Sequence, residues 1–186
     1  MNRAFDFLIS LLLLVVFSPV LAFVALLISL TSSGGVIFKS NRVGRQNRIF
    51  PMWKFRTMRI DTPQLATHLL EKPQNFLTPI GAFLRRTSLD ELPQLWNVLR
   101  GDMALVGPRP ALFNQEDLIS LRSERGVHLL RPGITGWAQI NGRDELPIPL
   151  KVELDAFYLQ NRSLTFDIKI LLMTLFKVFQ SEGVSH

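Results

Sequence analysis

Between Asp6 and Lys39 the chain carries no charged side chain, and inside that gap Leu8–Leu30 is a run of 23 almost wholly apolar residues. As a straight helix the run would measure roughly 34 Å, enough to cross a bilayer core of about 30 Å. It is too long for a signal-peptide core, so it is expected to remain on the protein. Ser18-Pro19 stands at its centre. Proline removes one backbone N–H and crowds the carbonyl of Val15, so a helix must kink or break there. Each half is then roughly 16 Å long, about one leaflet deep. Two readings stay open, a kinked span or a helix-break-helix hairpin that dips in and returns. In either, the Ser18 hydroxyl is placed to satisfy a freed carbonyl. Lys39–Arg59 has seven cations and no acid, which orients the rest of the chain toward the cytoplasm.

With 186 residues, the chain is expected to form one globular unit plus this appendage. Gly34-Gly35 reads as the helix stop, dividing residues 1–35 from residues 36–186. A net charge of +6 favours anionic partners: nucleic acid, acidic lipid or phosphorylated metabolites. The absence of cysteine excludes disulfides, a thiolate nucleophile and a cysteine-ligated metal. His68, His128 and His186 are scattered, which argues against zinc. Any metal would sit on carboxylate oxygens, the ligand set of Mg²⁺ or Mn²⁺.

The most chemically suggestive stretch is Thr87–Pro110, TSLDELPQLWNVLRGDMALVGPRP. Leu92, Leu95, Trp96 and Leu99 form an apolar stripe at helical spacing, and Gly101 reads as the stop. Pro93 must lie in the first turn, so the N-cap falls in Ser88–Leu92, with Asp90 the preferred residue. Asp90 and Glu91 would then sit at the helix mouth, where the macrodipole favours ionised carboxylates. A purely structural reading competes, because Ser88-x-x-Glu91 also matches a capping box. After a short strand at Met103–Val106, Gly107 permits a tight turn, and Pro108 and Pro110 stiffen the backbone around Arg109. A guanidinium fixed in this way loses less entropy on clamping a phosphate. Against this, Pro110 also fits the first position of a helix beginning there.

Other stretches carry weaker signals. Lys54 and Arg56 alternate with Trp53, Phe55 and Thr57, which places both cations on one strand face, either in a site or on a lipid-facing basic surface. Thr78-Pro79 reads as an N-cap and first-turn proline opening a helix through Arg86, with Arg85 just upstream of the carboxylates. Arg131–Trp137 and Asn141–Arg143 are rich in turns. Their three glycines would allow close backbone approach to a ligand, with Arg131, Gln139 and Arg143 as polar readers. Near the C-terminus, Leu171, Leu172, Leu175, Phe176 and Phe179 recur at helical spacing with Lys169 and Lys177 off the stripe. That pattern suits a core helix or an interfacial one equally.

Taken together, KFRTM (Lys54–Met58), Ser88–Pro110, RPGITGWAQINGR (Arg131–Arg143) and Leu154–Leu171 resemble the bacterial sugar transferases, specifically the small monotopic polyprenyl-phosphate phosphoglycosyl transferases. With the Ser18-Pro19 segment, the likeness covers essentially the whole chain. It implies transfer of a sugar-1-phosphate from a UDP-sugar, with an N-acetylated amino sugar expected, to undecaprenyl phosphate with release of UMP. This is the first membrane step of glycoconjugate synthesis. It implies Asp90 and Glu91 as the catalytic dyad, Asp90 attacking the β-phosphate to form a covalent phosphosugar-enzyme. Mg²⁺ would be bound at the site with Asp90 as a ligand. Arg109, Lys54 and Arg85 would hold substrate phosphate, while Arg131, Gln139, Arg143 and Asp155 would contact the nucleotide sugar.

The resemblance also favours the re-entrant hairpin broken at Ser18-Pro19. The expected fold is α+β and mostly helical: a re-entrant membrane hairpin over residues 1–35, then a small cytoplasmic catalytic unit over residues 36–186 with interfacial amphipathic helices. The expected location is the bacterial inner membrane, monotopic. Membrane lipid joins the two substrates as a partner, with a homo-oligomer and downstream glycosyltransferases as further expected partners and no nucleic acid. Two departures bear on loop conformation: Arg42-Val43-Gly44 stands where the family often has Arg-Pro-Gly, and Pro51 is expected to interrupt the strand before Lys54. The rival reading is a membrane-tethered adaptor that binds acidic lipid or nucleic acid through Lys39–Arg48. The scarcity of stacking aromatics near that loop weakens the nucleic-acid version.

Overall fold

A computed structural model describes residues 3–62, 73–142 and 146–180, with the side chains of residues 178–180 outside that description. The apolar run forms two helices, α1 (Arg3–Val16) and α2 (Ser18–Thr31), bent by 61° at Phe17. Pro19 occupies the first turn of α2, where its missing N–H has no intrahelical role, and the Ser18 hydroxyl donates to the Val15 carbonyl at 2.8 Å. Among the described residues no single helix is long and apolar enough to cross a membrane, but the bent pair is by length and composition.

The two arms pack differently. Ile9, Leu13 and Leu14 of α1 lean on the main core, built from Phe50, Met52, Leu95, Val98, Leu105, Tyr158 and Ile170 among others. Val24 and Ile28 of α2 belong to a second cluster with Phe55 and Leu84. The other faces of both arms, including Leu8, Leu12, Val15, Phe23 and Leu30, are exposed and apolar. Such a contiguous apolar surface is what a bilayer covers.

The rest is mostly helical with two small sheets. The basic stretch is not a loop but a hairpin: β1 (Ile37–Val43) pairs antiparallel with β2 (Ile49–Phe55), Asn41 opposite Pro51. Pro51 therefore does not interrupt the strand. Its carbonyl accepts from Asn97 Nδ2 at 2.8 Å while Asn97 Oδ1 accepts the Trp53 N–H at 2.9 Å. That edge of β2 faces away from β1, so no ladder bond needs the proline N–H. Asn97 completes the edge as a strand backbone would.

Helix α3 (Gly81–Arg86) starts two residues later than Thr78-Pro79 suggested, because the Gly81 N–H closes a turn onto the Thr78 carbonyl. Helix α4 (Gln94–Arg100) ends at Gly101 in the left-handed conformation. Then β3 (Ala104–Val106) pairs in parallel with β4 (Gly133–Thr135). Helix α5 (Glu116–Glu124) lies between these strands in sequence, and α6 (Trp137–Ile140), α7 (Ile148–Asn161) and α8 (Leu164–Gln180) complete the chain.

Helix α8 is buried on one side, as a core helix is, and apolar yet exposed on another. Asp167 and Ile170 are buried, while Leu164, Ile168, Leu172, Leu175 and Phe176 form an exposed apolar stripe.

Asn97 is about 1% exposed and serves two backbone groups of β2. Asn97→Ala is expected to lower stability by about 2–4 kcal/mol, since both groups lose their partner. Urea unfolding in detergent measures this, and a loss under about 0.5 kcal/mol would contradict the bridging role.

Candidate active site

The carboxylates lie in a single 3₁₀ turn, Leu89–Glu91, that feeds into α4 without being its first α-helical turn. Ser88 precedes it in the left-handed region (φ +56°) and makes no side-chain capping bond, so the capping box does not form. With its short α4, this turn does not hold Asp90 ionised in the way the macrodipole argument expected. Burial pushes Asp90 up to about 6 against the pull of Lys54; Glu91 adds to the rise, and Arg85 and Arg109 oppose it. Glu91 behaves oppositely. Burial pushes it up, but Lys54 and Arg109, as charges and as hydrogen-bond donors, outweigh that and hold it well below the usual carboxylate range. Two adjacent carboxyls thus divide into a permanently charged one and one that titrates close to neutral pH.

Three elements supply the cations. From the end of β2, Lys54 Nζ donates to Glu91 Oε1 at 2.7 Å and lies 3.9 Å from Asp90 Oδ2. From the last turn of α3, Arg85 bonds Thr57 Oγ1 at 3.0 Å and feels the Asp90 charge, while burial lowers its own proton affinity. From the turn after β3, Arg109 Nη2 reaches Glu91 Oε1 at 3.0 Å. Glu91 is therefore a shared acceptor that fixes Lys54 and Arg109 beside Asp90.

The Pro-Arg-Pro turn is held at consecutive carbonyls. Pro108 O accepts the Gly133 N–H at 2.9 Å, Arg109 O accepts Arg122 Nη1 at 2.8 Å, and Pro110 O accepts Arg42 Nη1 at 3.3 Å. Since α5 starts only at Glu116, Pro110 is not a first-turn proline. The glycines of RPGITG serve this turn. A Cβ on Gly133 or Gly136 would lie 2.1 Å from backbone atoms of Gly107, so only glycine admits the close approach of the two strands. Their partner is the Gly107 backbone, which corrects the expectation that they make room for a ligand.

Of the expected site residues, Lys54, Arg85, Asp90, Glu91 and Arg109 come together. Asp155 is buried under Arg122, accepting its Nη2 at 2.6 Å and Nε at 2.9 Å, so it reaches the site only through Arg122 and the Arg109 carbonyl. Arg131 donates to Gly101 O, and Gln139 donates to Ile134 O within its own turn. Arg143 lies outside the described residues. Arg56, expected on one face with Lys54, is instead buried and donates to the carbonyls of Ser32, Gly34 and Gly35, closing the end of α2. The positioning roles of Arg122 and Asn97 had no local signature, because each depends on a partner dozens of residues away.

Among the described residues no three His, Cys, Asp or Glu side chains cluster as a protein-only metal cage. Mg²⁺ does not require one, since it is commonly held by one or two carboxylates with water and substrate phosphates completing the shell. Asp90 and Glu91 match that donor chemistry, and Asp90 is the less committed of the two to protein cations.

Comparison with known proteins shows what the chain is similar to. The model of the family described as "Bacterial sugar transferase" matches residues 1–181. The chain is 42% identical over 98% of its length to the UDP-glucose:undecaprenyl-phosphate glucose-1-phosphate transferase of Escherichia coli K12, covering 41% of that protein. It is 41% identical over its whole length to a sugar transferase of Bacillus subtilis, EpsL, covering 91% of it. It is 36% identical over 98% of its length to a UDP-N-acetylgalactosamine-undecaprenyl-phosphate N-acetylgalactosaminephosphotransferase of Aeromonas hydrophila, covering 44% of that protein. The chain thus spans under half the length of two of these relatives and nearly all of the third.

A buried carboxyl whose proton affinity is raised favours its neutral form in the fold. Wild type therefore loses stability as pH rises from about 4 through about 6. Asp90→Asn removes that cost, and above pH 6 it is expected to be more stable than wild type by about 1–3 kcal/mol, the difference vanishing below about pH 4. Thermal unfolding across pH measures this, and equal stability at pH 8 would refute the buried-charge account.

Proposed function

The chain belongs to the bacterial sugar transferase family, and on that premise we propose that it transfers a sugar-1-phosphate from a UDP-sugar to undecaprenyl phosphate. The observation carrying this reading is one titrating carboxylate, Asp90, beside a second one that holds a lysine and an arginine in place. In the first step an Asp90 oxygen attacks the β-phosphorus of the UDP-sugar. An aspartyl–phosphorus bond forms, the β-phosphorus–oxygen bond breaks, and UMP leaves with that bonding pair. In the second step an oxygen of the lipid phosphate attacks the same phosphorus and releases Asp90 as the carboxylate. The product is a lipid-linked diphosphate sugar.

The other residues act by electrostatics. Lys54 and Arg109 present fixed positive charge where the transferring phosphoryl group gathers negative charge, and Glu91 keeps them oriented before substrate arrives. Arg85 offsets the Asp90 charge from the opposite element. Arg122, locked by Asp155, is a positioning residue that holds the Arg109 backbone. Mg²⁺, held by Asp90 and substrate oxygens, would supply further charge neutralisation on the diphosphate.

The acceptor is a membrane lipid and the donor is soluble, so the site must sit at the interface. The bent α1–α2 pair fits a re-entrant hairpin, with the exposed stripe of α8 resting beside it and the site facing the cytoplasm. The relatives described above are named for glucose and for N-acetylgalactosamine, so the donor is stated as a UDP-sugar; an N-acetylated amino sugar is one member of that set.

Asp90→Asn is expected to lower UMP release at least about a thousandfold, measured across a panel of UDP-sugars with undecaprenyl phosphate and Mg²⁺. Near-wild-type turnover would sink the nucleophile assignment. In wild type, kcat/KM is expected to fall about tenfold per pH unit below about 6, as the nucleophile gains its proton. A flat profile down to pH 5 would contradict the assigned nucleophile.

A further inference from the structure

A cavity of about 140 Å³ shares no lining residue with the carboxylate site. Its polar wall is Asp6 from α1, Arg45 from the β-hairpin turn, Arg131 before β4, Tyr158 from α7, and Arg162 between α7 and α8. Three guanidiniums face one carboxylate. Asp6 is already engaged, its Oδ1 accepting the Leu105 N–H at 3.2 Å, and the Tyr158 hydroxyl donates to Asp167 at 2.6 Å. Arg45 and Arg131 are each anchored through Nε to a backbone carbonyl, Leu129 O and Gly101 O. Among the described residues their Nη donors have no partner, and the Arg162 guanidinium has neither a hydrogen bond nor an ion pair. The crowding registers on Arg131, whose proton affinity is lowered by burial and then by Arg3, Arg45 and Arg162, with Asp6 opposing.

The position of the cavity narrows what fills it. Phe7 and Leu8, immediately after Asp6, begin the exposed apolar face of α1, and Leu164, two residues after Arg162, begins that of α8. Both apolar surfaces therefore start at the cavity rim, which sets its depth at the headgroup layer. The volume is far below the about 300–1,000 Å³ of pockets that enclose a nucleotide-sized ligand, but it accommodates a tetrahedral oxyanion. Guanidinium forks are matched to phosphate oxygens.

We propose that this recess binds the phosphate group of an anionic membrane lipid, separately from the substrate phosphates at the carboxylate site. Such a contact pins the base of the hairpin and the start of α8 to one headgroup and so sets the depth and tilt of the protein in the membrane. The proposal rests on the membrane placement of α1 and α8, not on the transfer reaction, so its test does not use turnover.

The full chain is tested for binding to vesicles of phosphatidylcholine alone or with 30% phosphatidylglycerol or phosphatidic acid, beside Arg45→Gln/Arg162→Gln, Arg162→Lys and a charge-matched control, Arg59→Gln/Arg125→Gln. The double pocket variant is expected to bind anionic vesicles at least about tenfold more weakly than wild type, at about 1 kcal/mol for each basic residue. The control is expected to change by less than about threefold, Arg162→Lys to fall between, and binding to phosphatidylcholine to stay the same. Circular dichroism melting confirms that each variant is folded. Equal losses in the pocket and control variants would overturn the proposal in favour of diffuse charge attraction. Thermal stabilisation by inorganic phosphate that the pocket variant loses, with vesicle binding unchanged, would overturn the lipid assignment and leave a soluble-phosphate site. No difference in any arm would overturn the site itself.

Discussion

Val24 and Ile28 on α2, the second arm of the bent helix pair, press against Phe55 and Leu84, and each of those two core residues is the chain neighbour of a site cation. Phe55 comes directly after Lys54 at the end of β2, and Leu84 precedes Arg85 in α3. A strand sends successive side chains to opposite faces, so Phe55 buries against α2 while Lys54 turns to the carboxylates. The packing of Phe55 and Leu84 on α2 thus fixes where the site sits relative to the bent helix pair. Arg56 reinforces it by closing the carbonyls at the end of α2 from the residue after Phe55. The carboxylate site and the apolar helix pair are one packed unit, which suits the proposed transfer from a soluble donor to a lipid acceptor.

Charge is distributed around that unit with the same economy. Glu91 satisfies Lys54 and Arg109 and stays ionised; Asp90, next to it and buried, carries the cost of desolvation. Ground-state strain of this electrostatic kind is common where a group must be reactive, and it persists because the surroundings are over-determined. Here the over-determination is visible in the Pro-Arg-Pro turn, whose three carbonyls are each held by a different element. The buried Arg122–Asp155 pair contributes through that turn. It illustrates how a residue suspected of touching substrate can instead act at one remove.

Several features were legible because they are local. The break at Ser18-Pro19 comes from the geometry of proline, and the stop at Gly101 from a helix end that needs positive φ. Others were misread for reasons that are also physical. The basic stretch looked like a loop because polar side chains hide strand periodicity in a two-stranded ribbon exposed on one face. Pro51 looked like an interruption because the sequence does not say which edge of a strand lacks a partner. The glycines of RPGITG looked like ligand contacts because a need for close approach has the same signature whether a phosphate or another strand comes near.

The sequence alone determined that a charge-free apolar run must break at its centre, that the chain seeks anions, and that Asp90, Glu91 and an immobilised Arg109 form its chemical motif. These depend on composition, on fixed φ and on residues within one or two turns. Only the tertiary structure decided which cations meet the carboxylates, that the two carboxyls have opposite proton affinities, and that Asp155 serves Arg122. Burial and through-space charge between residues 18 to 37 positions apart, as in Glu91 with Arg109 and Lys54, are properties of packing that no local pattern encodes.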